Sequence, residues 1–137
     1  IENAAFYINW YKYTGLPGWT SASHVEVAEG YTDAKGYFKI PKYSTFFKEY
    51  RMAIYKKGYV CWRSDKIFPT WENRIDFKLK NKMVIKLDKF KEEYSKEDHA
   101  RFTNSAPTAG GPTGIFRDAT RQEREIERDS YKTNQGE

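Results

Sequence analysis

The residues whose chemistry suits catalysis or metal binding are few: one cysteine, Cys61, and two histidines, His24 and His99. A zinc site needs at least three convergent ligands, and neither histidine stands at ligand spacing from another histidine or from Cys61. A single cysteine forms no intrachain disulfide. Cys61 lies in an apolar run, where the small side chain is expected to be buried as a hydrophobe. The sequence therefore predicts neither a bound metal nor a cofactor.

The motifs of common catalytic and cofactor sites are missing from the sequence. There is no G-x-S-x-G turn, no phosphate-binding glycine loop, no H-E-x-x-H pair and no C-x-x-C-H haem attachment. Asp98 precedes His99 directly, but spacing assigns no serine or cysteine to this pair. We therefore expect a protein that is not an enzyme.

The length and composition of the chain indicate one domain with an aromatic core. With 137 residues, the chain suits one domain with a hydrophobic core. Aromatic residues make up 18% of the chain, against 39% for all hydrophobic residues. The formal net charge is +5, but 19 acidic residues are interspersed among 24 basic ones, a pattern that mainly favours solubility. No apolar run approaches the length of roughly 18 residues that a membrane helix needs.

The pattern of residues 29–41 predicts two strands joined by a tight turn. Asp33 can accept a hydrogen bond from a backbone N–H two residues further on, and Gly36 can adopt the positive φ of a hairpin exit. Pro41 donates no backbone hydrogen bond, so it closes the second strand or lies at a sheet edge.

Residues 32–41 read T-D-A-K-G-Y-F-K-I-P, which resembles the T-D-x-x-G-x-F-x-I-P signature of carboxypeptidase regulatory-like domains. Residues 1–5 (I-E-N-A-A) resemble the end of the P-I-x-x-A opening of this family, and residues 54–59 (I-Y-K-K-G-Y) resemble its x-x-K-x-G-Y strand and turn. Glu29 stands where the family has its E-x-x-T-D lead-in. The resemblance covers residues 1–90.

The resemblance implies a transthyretin-like (prealbumin-type) fold, which is a mainly β, antiparallel seven-strand-type β-sandwich, in an exported protein. It implies no single activity. The transthyretin-like enzymes that hydrolyse hydroxyisourate end in Y-R-G-S, whereas this chain ends T-N-Q-G-E, so the likeness fails where catalysis is located. In the family a first strand precedes the opening motif. Its absence before Ile1 suggests a trimmed start or an edge that a strand from another chain fills by β-augmentation.

Residues 5–13 alternate strictly and predict a strand with aromatic side chains on both faces. Phe6, Ile8 and Trp10 share one face, and Tyr7, Asn9, Tyr11 and Tyr13 share the other. One face is expected in the sandwich core, and the other under the C-terminal segment or open to a partner. Residues 14–23, rich in Gly, Pro and Ser, are predicted to be a loop with Trp19 at its centre.

Further strands are expected at residues 24–31, on either side of a turn at Lys57 and Gly58, and in a final hairpin over residues 75–90. Ile75, Phe77 and Leu79 would form the dry face of that hairpin, because they alternate with charged residues.

The last third of the chain differs in character. Residues 91–104 predict a short helix packed on the sandwich, with Ser95 as its N-cap and Asp98 three residues further on. Residues 105–114 have the composition of a flexible linker. Residues 115–137 begin with two apolar residues that can pack on the domain, Ile115 and Phe116, and continue as a highly charged helical arm. Having little apolar face, this helix is expected to fray or to dock on a neighbouring subunit.

Three non-catalytic functions fit these features. The leading hypothesis is an exported structural or interaction module (periplasmic, cell-surface or extracellular) that joins other protein subunits in a homo- or hetero-assembly. Its contacts would come from an edge strand, an aromatic face and the C-terminal arm. The alternative is a carbohydrate-binding module that stacks glycans on exposed aromatic rings. A nucleic-acid binder is the third, because lysines interleave with aromatics at residues 55–59. The residues predicted to contact a partner or ligand are Tyr7, Tyr11, Tyr13, Trp19, Trp62, Trp71, Ile115 and Phe116.

Overall fold

The computed structural model describes residues 1–16, 19–40, 49–80, 82–106 and 114–135, with residues 11–16, 19–25 and 133–135 described by their backbone alone. Its strands are β1 (Ala5–Leu16), β2 (Trp19–Tyr31), β3 (Glu49–Tyr55), β4 (Trp62–Arg63), β5 (Lys66–Ile67) and β6 (Glu72–Asn73). Its helices are α1 (Lys96–Asn104), α2 (Ile115–Ala119) and α3 (Arg121–Gln135).

The strands form two antiparallel sheets. One has four strands in the order β2-β1-β3-β4, and the other pairs β5 with β6. The predicted antiparallel β architecture is therefore confirmed at this coarse level. Helices, however, occupy about as much of the described chain as strands do, so "mainly β" holds only loosely.

Strand β1 places its side chains on two buried faces, as its alternation predicts. Phe6, Ile8 and Trp10 belong to one cluster, which we call the loop-side core because side chains outside the strands and helices cover it, namely Phe38, Ile40, Phe77, Leu79, Ile85 and Leu87. Tyr7 belongs to a second cluster, the helix-side core, which it shares with Phe102 of α1. The sheet is thus covered on both faces, each rich in aromatic rings.

The prediction of a loop over residues 14–23 is wrong. Strand β1 continues to Leu16 and β2 begins at Trp19, with Leu16 paired to Trp19 and Gly15 to Thr20. Cross-strand pairing satisfies the backbone groups of this long hairpin whatever its side chains, so Gly and Ser are tolerated within it. The register shifts once, between Lys12 and Tyr13.

The turn at residues 33–36 has the predicted geometry. Asp33 Oδ1 accepts hydrogen bonds from Lys35 N and Tyr37 N, both at 2.9 Å, and Gly36 has a φ of 83°. The prediction of a strand after the turn is wrong, because residues 37–40 are not in a strand. They cover the loop-side core instead, with the Phe38 ring stacked on Phe6 at 4.2 Å.

The prediction of a hairpin over residues 75–90 is also wrong. Within the described part of this stretch only Lys89 takes part in β pairing, through an isolated bridge to Tyr59. The alternation marks the inward side chains only in part: Phe77 and Leu79 pack against the loop-side core, whereas Ile75, expected on the same face, is 90% exposed. Apolar alternation here reports packing onto a sheet rather than membership of one. By contrast, the strand and the turn expected over residues 52–58 are confirmed as β3 and a turn at Gly58 (φ 89°). Of the strand expected to follow up to residue 62, Trp62 begins β4 and Tyr59 forms an isolated bridge.

The C-terminal third folds back on its own chain. Helix α1 begins after Ser95, whose side chain accepts a hydrogen bond from Asp98 N, as predicted. Helix α3 packs along α1. Hydrogen bonds contribute to holding α3 on α1: Asn104 Nδ2 donates to Glu123 O at 3.2 Å and to Glu127 Oε2 at 2.6 Å. The number of apolar residues on the helix does not reveal such contacts. Residues 107–113 of the predicted linker lie outside the described residues.

Candidate functional site

A polar cleft of about 370 Å³ opens beside β3. Its walls come from β3, the two residues after β4, the end of β6 and the segment that follows. The lining residues are Glu49, Tyr50, Arg51, Ser64, Asp65, Asn73, Arg74 and Phe77.

Arg74 is held rigidly in this cleft. Its Nε donates to Arg63 O at 2.8 Å, and its guanidinium lies over the Trp62 ring, 4.9 Å from the centroid. Partial burial lowers the pKa of Arg74, and nearby carboxylates oppose that shift, but an arginine this basic stays charged at physiological pH. Among the described residues, neither terminal guanidinium nitrogen of Arg74 has a hydrogen-bond partner. These two nitrogens form a fixed, charged fork.

The charge of Asp65 is already matched within the wall of the cleft. Its carboxylate receives two hydrogen bonds from Arg63, Nε to Oδ1 at 3.0 Å and Nη2 to Oδ2 at 2.8 Å. Burial acts to raise the pKa of Asp65, but the hydrogen bonds and charge of Arg63, helped by Arg51, outweigh it and leave the pKa below its ordinary value. Glu49 and Arg51 also line the cleft, and the charges of Asp76 and Asp88 act on Arg74 as that of Asp65 does.

A second group of chemically capable residues lies buried between the sheet and helices α1 and α3. Tyr55 Oη donates to Glu123 Oε1 at 2.9 Å, and His99 Nδ1 lies 3.5 Å from Glu123 Oε2. Cys61 N donates to His99 Nε2 at 3.0 Å. The residue types are those of a thiol–imidazole–carboxylate triad.

The geometry of this buried group does not suit nucleophilic catalysis. The ring nitrogen that would deprotonate the thiol is occupied by the backbone N–H of Cys61. The residue is 2% exposed, and burial raises the pKa of its thiol to about 12, whereas reactive cysteines are accessible and have a lowered pKa. The expectation that Cys61 is a small buried hydrophobe is confirmed. Glu123 and its partners attach the helices to the sheet.

The third feature is the outer edge of β2. Thr32 N donates to Ala4 O at 2.9 Å, so Thr32 directs its backbone towards the residues leading into β1. Backbone direction alternates along an antiparallel strand. The N–H and C=O groups of Val27, Glu29 and Tyr31 therefore point away from β1, and among the described residues no strand lies on that side.

Helix α2 is attached next to this edge. The Glu29 carboxylate accepts hydrogen bonds from Ile115 N at 2.7 Å and Phe116 N at 3.3 Å, which satisfies two amides at the start of the helix. Val27 is 40% exposed and Tyr31 48% exposed. Both lie on the same face as Glu29, because residues two apart along a strand share a face.

The structure brings some of the predicted site residues together and separates others. Tyr7 packs against Phe116 with ring centroids 5.8 Å apart, and both are buried. Ile115, one residue earlier, is 37% exposed. Trp62 packs against Phe77 on the loop side of the sheet.

Trp71 contacts the Phe102 ring of the helix-side core and is 39% exposed. The Trp62 and Trp71 rings therefore do not share a platform. The side chains of Tyr11, Tyr13 and Trp19 lie outside the described residues. Sequence reasoning missed Arg74, Asp65, Glu29 and Glu123, since each of these side chains is given its role by a contact that spacing does not reveal.

No cluster of three or more His, Cys, Asp or Glu residues arranged to hold a metal ion occurs in the described part of the chain. In the same part of the chain, no helix is long and apolar enough to cross a membrane. Comparison of the chain with protein-family models, with curated proteins and with solved structures found no match in any of the three.

Proposed function

We propose that this protein is a non-catalytic interaction module that binds another protein subunit by accepting a strand of that subunit on the outer edge of β2. The observation that carries the proposal is the edge itself, which has 13 residues in β2 and pairs only with β1 among the described residues. Main-chain hydrogen bonds to such an edge supply affinity, and side-chain contacts beside it supply specificity.

Strand β2 has little of the usual chemical protection of an edge over residues 27–31. Proteins keep edge strands from pairing by making them short or by adding charged side chains, prolines or bulges. The sequence of β2 contains no Lys, Arg or Pro, although the whole chain has 24 basic residues. Its one register shift against β1 lies in its N-terminal half, and the carboxylate of Glu29 is bound to the start of α2. A long edge of this kind favours a function that uses it.

Apolar side chains lie where a partner strand would need them. Val27 and Tyr31 flank Glu29 on the helix side of the sheet, and Ile115 is fixed to Glu29 through its backbone N–H. All three apolar side chains are partly exposed. A partner strand would therefore gain a short apolar contact next to the backbone pairing.

The resemblance to carboxypeptidase regulatory-like domains extends this proposal. It supports a transthyretin-like sandwich, in which the segments that carry Phe77 and Leu87 take the place of a second sheet, and an exported location. The confirmed turn at Asp33 and Gly36 is the local geometry that the shared motif calls for.

A matched pair of variants tests the role of the edge. Val27→Lys places a charge beside β2, whereas Val84→Lys makes the same change at a valine that is 92% exposed and outside any strand. We expect the native mass of the assembly from the source organism to be retained with Val84→Lys and lost with Val27→Lys. Equal assembly by both variants, with both folded by circular dichroism, contradicts strand addition at β2.

A further inference from the structure

We propose that the outward side of the segments 77–80 and 82–87, which we call the lysine face, binds the surface of an anionic phospholipid membrane. The face consists of five exposed side chains: Lys78, Lys80, Lys82, Val84 and Lys86. The protein would lie on the membrane surface, held mainly by charge, with one apolar side chain entering the boundary between headgroups and acyl chains.

Burial on the opposite side of the same segments defines the lysine face. Phe77 and Leu79 pack against the loop-side core, as do Ile85 and Leu87. The side chains that alternate with them are exposed. Because both segments cover the same core, their exposed side chains are turned away from the sheet together.

The positive charge of the chain is concentrated on this face. Residues 77–87 include four lysines and no acidic residue, which leaves 20 basic and 19 acidic residues in the rest of the chain. No hydrogen bond or ion pair of these four lysine side chains occurs within the described part of the chain. The four ammonium groups are therefore available to a negatively charged partner.

Carboxylates close to the segments do not cancel this charge. Four of them lie at the ends of the segments or in the cleft beside Phe77: Asp76, Asp88, Glu49 and Asp65. Three arginines of the same region, Arg51, Arg63 and Arg74, interact with Asp65, Asp76 or Asp88 through their charges. With the four lysines included, these groups carry a balance of three positive charges.

Val84 favours a membrane over a nucleic acid. Its side chain is 92% exposed and stands between Lys82 and Lys86 in the alternation. Phosphate groups in water offer nothing to an apolar side chain, whereas a bilayer accepts it below the headgroups while neighbouring lysines stay with the phosphates. Nucleic-acid surfaces typically add arginines and stacked aromatic rings. The lysine face has neither.

The contact is expected to be weak and separate from the β2 edge. Each lysine near an anionic bilayer strengthens binding about fivefold, and one valine adds less apolar area than a lipid anchor. Phe77 packs on Trp62 of β4, which lies at the opposite end of the sheet order from β2. This proposal is therefore independent of strand addition.

Co-sedimentation of the full chain with unilamellar vesicles tests the inference. Vesicles of phosphatidylcholine alone are compared with vesicles that also contain phosphatidylserine. At roughly 0.1 M salt we expect binding to the anionic vesicles to be at least about tenfold stronger, and to be lost at roughly 0.5 M salt because the charges are screened. Equal binding to both kinds of vesicle, or no binding to the anionic ones at about 1 mM lipid, overturns the proposal.

Three variants, all at exposed positions, locate the contact. Lys82→Gln combined with Lys86→Gln removes two charges from the face and should weaken vesicle binding about tenfold or more. Lys96→Gln combined with Lys132→Gln removes two charges from α1 and α3 and should weaken it less than about threefold. Val84→Ser leaves the charge unchanged and should weaken it about twofold or more. Equal losses with the two double variants contradict this placement.

Titration of a short DNA duplex in the same buffer separates the two kinds of anionic partner. We expect the chain to bind the duplex more weakly than the anionic vesicles. Tighter binding to the duplex, lost when Lys82 and Lys86 are both changed to Gln, identifies a nucleic-acid surface and overturns the membrane.

Discussion

The buried hydrogen bond from Tyr55 to Glu123 makes a quantitative prediction about how α3 is held. Tyr55 is 4% exposed, and its hydroxyl donates to Glu123 Oε1 at 2.9 Å. Tyr55→Phe removes only the hydroxyl and leaves the carboxylate one donor short in a buried site. Tyr131→Phe makes the same chemical change on α3 itself, where the Tyr131 hydroxyl meets Glu127 at 3.3 Å on the surface.

The expected cost follows from burial and charge. A hydrogen bond to a charged group contributes about 1.5–3 kcal/mol, so we expect Tyr55→Phe to lower the free energy of unfolding by that amount. Tyr131→Phe removes a solvent-exposed contact and should change the free energy of unfolding by less than about 0.5 kcal/mol. Glu123→Gln keeps an acceptor oxygen but removes the charge that strengthens this hydrogen bond, and Tyr55→Phe removes the bond itself, so the two effects should be less than additive, by about 1 kcal/mol.

Urea unfolding, followed by circular dichroism and tryptophan fluorescence, measures these differences. Amide hydrogen exchange of α3 adds a local readout, since loss of the Glu123 contact should speed exchange in this helix before the sheet. Equal effects of Tyr55→Phe and Tyr131→Phe, or strict additivity of Tyr55→Phe with Glu123→Gln, would refute the view that this hydrogen bond attaches the helix.

Three further predictions concern pH and turns. Burial raises the Cys61 pKa to about 12 from 9.0, so the contribution of the thiol to the free energy of unfolding is complete below pH 9 and is lost as the pH rises. Cys61→Ala should therefore abolish about 1 kcal/mol of the fall in stability between pH 7 and pH 10, measured by urea unfolding. Pairing with Arg63 lowers the Asp65 pKa, so the contribution of this carboxylate to the free energy of unfolding is present above about pH 4 and is lost as the pH falls below it. Asp65→Asn should therefore reduce the loss of stability at acid pH, and an unchanged loss contradicts the pairing with Arg63. Gly58→Ala should lower the free energy of unfolding by about 1–2 kcal/mol because of the positive φ alone. Gly36→Ala should lower it more, because the added Cβ would lie 2.4 Å from Ile1 N. Thermal unfolding of the two variants shows which is less stable.

Local signals in the sequence predicted local structure. The alternation of β1, the Asp33 and Gly36 turn and the Ser95 cap each depend on residues within a few positions of one another, and each is present as expected. Such signals survive folding because the same short-range sterics and hydrogen bonds operate in the native state.

Predictions that needed tertiary context failed. Gly15 and Ser21 suggested a loop, but pairing between β1 and β2 determines their backbone. Phe77 suggested a strand, yet it packs on a sheet without joining it. The roles of Arg74 and Glu123 depend on contacts with Arg63, Trp62 and Tyr55, which spacing alone does not indicate.

Amide hydrogen exchange along β2, compared between the isolated chain and the assembly from its source, tests strand addition most directly. The N–H groups of Ala28 and Gly30 point to β1 and should be protected in both states. Those of Val27, Glu29 and Tyr31 should become protected only in the assembly. If these three exchange at the same rate in both states, or if the protein from its source is a monomer, a strand partner at this edge is contradicted.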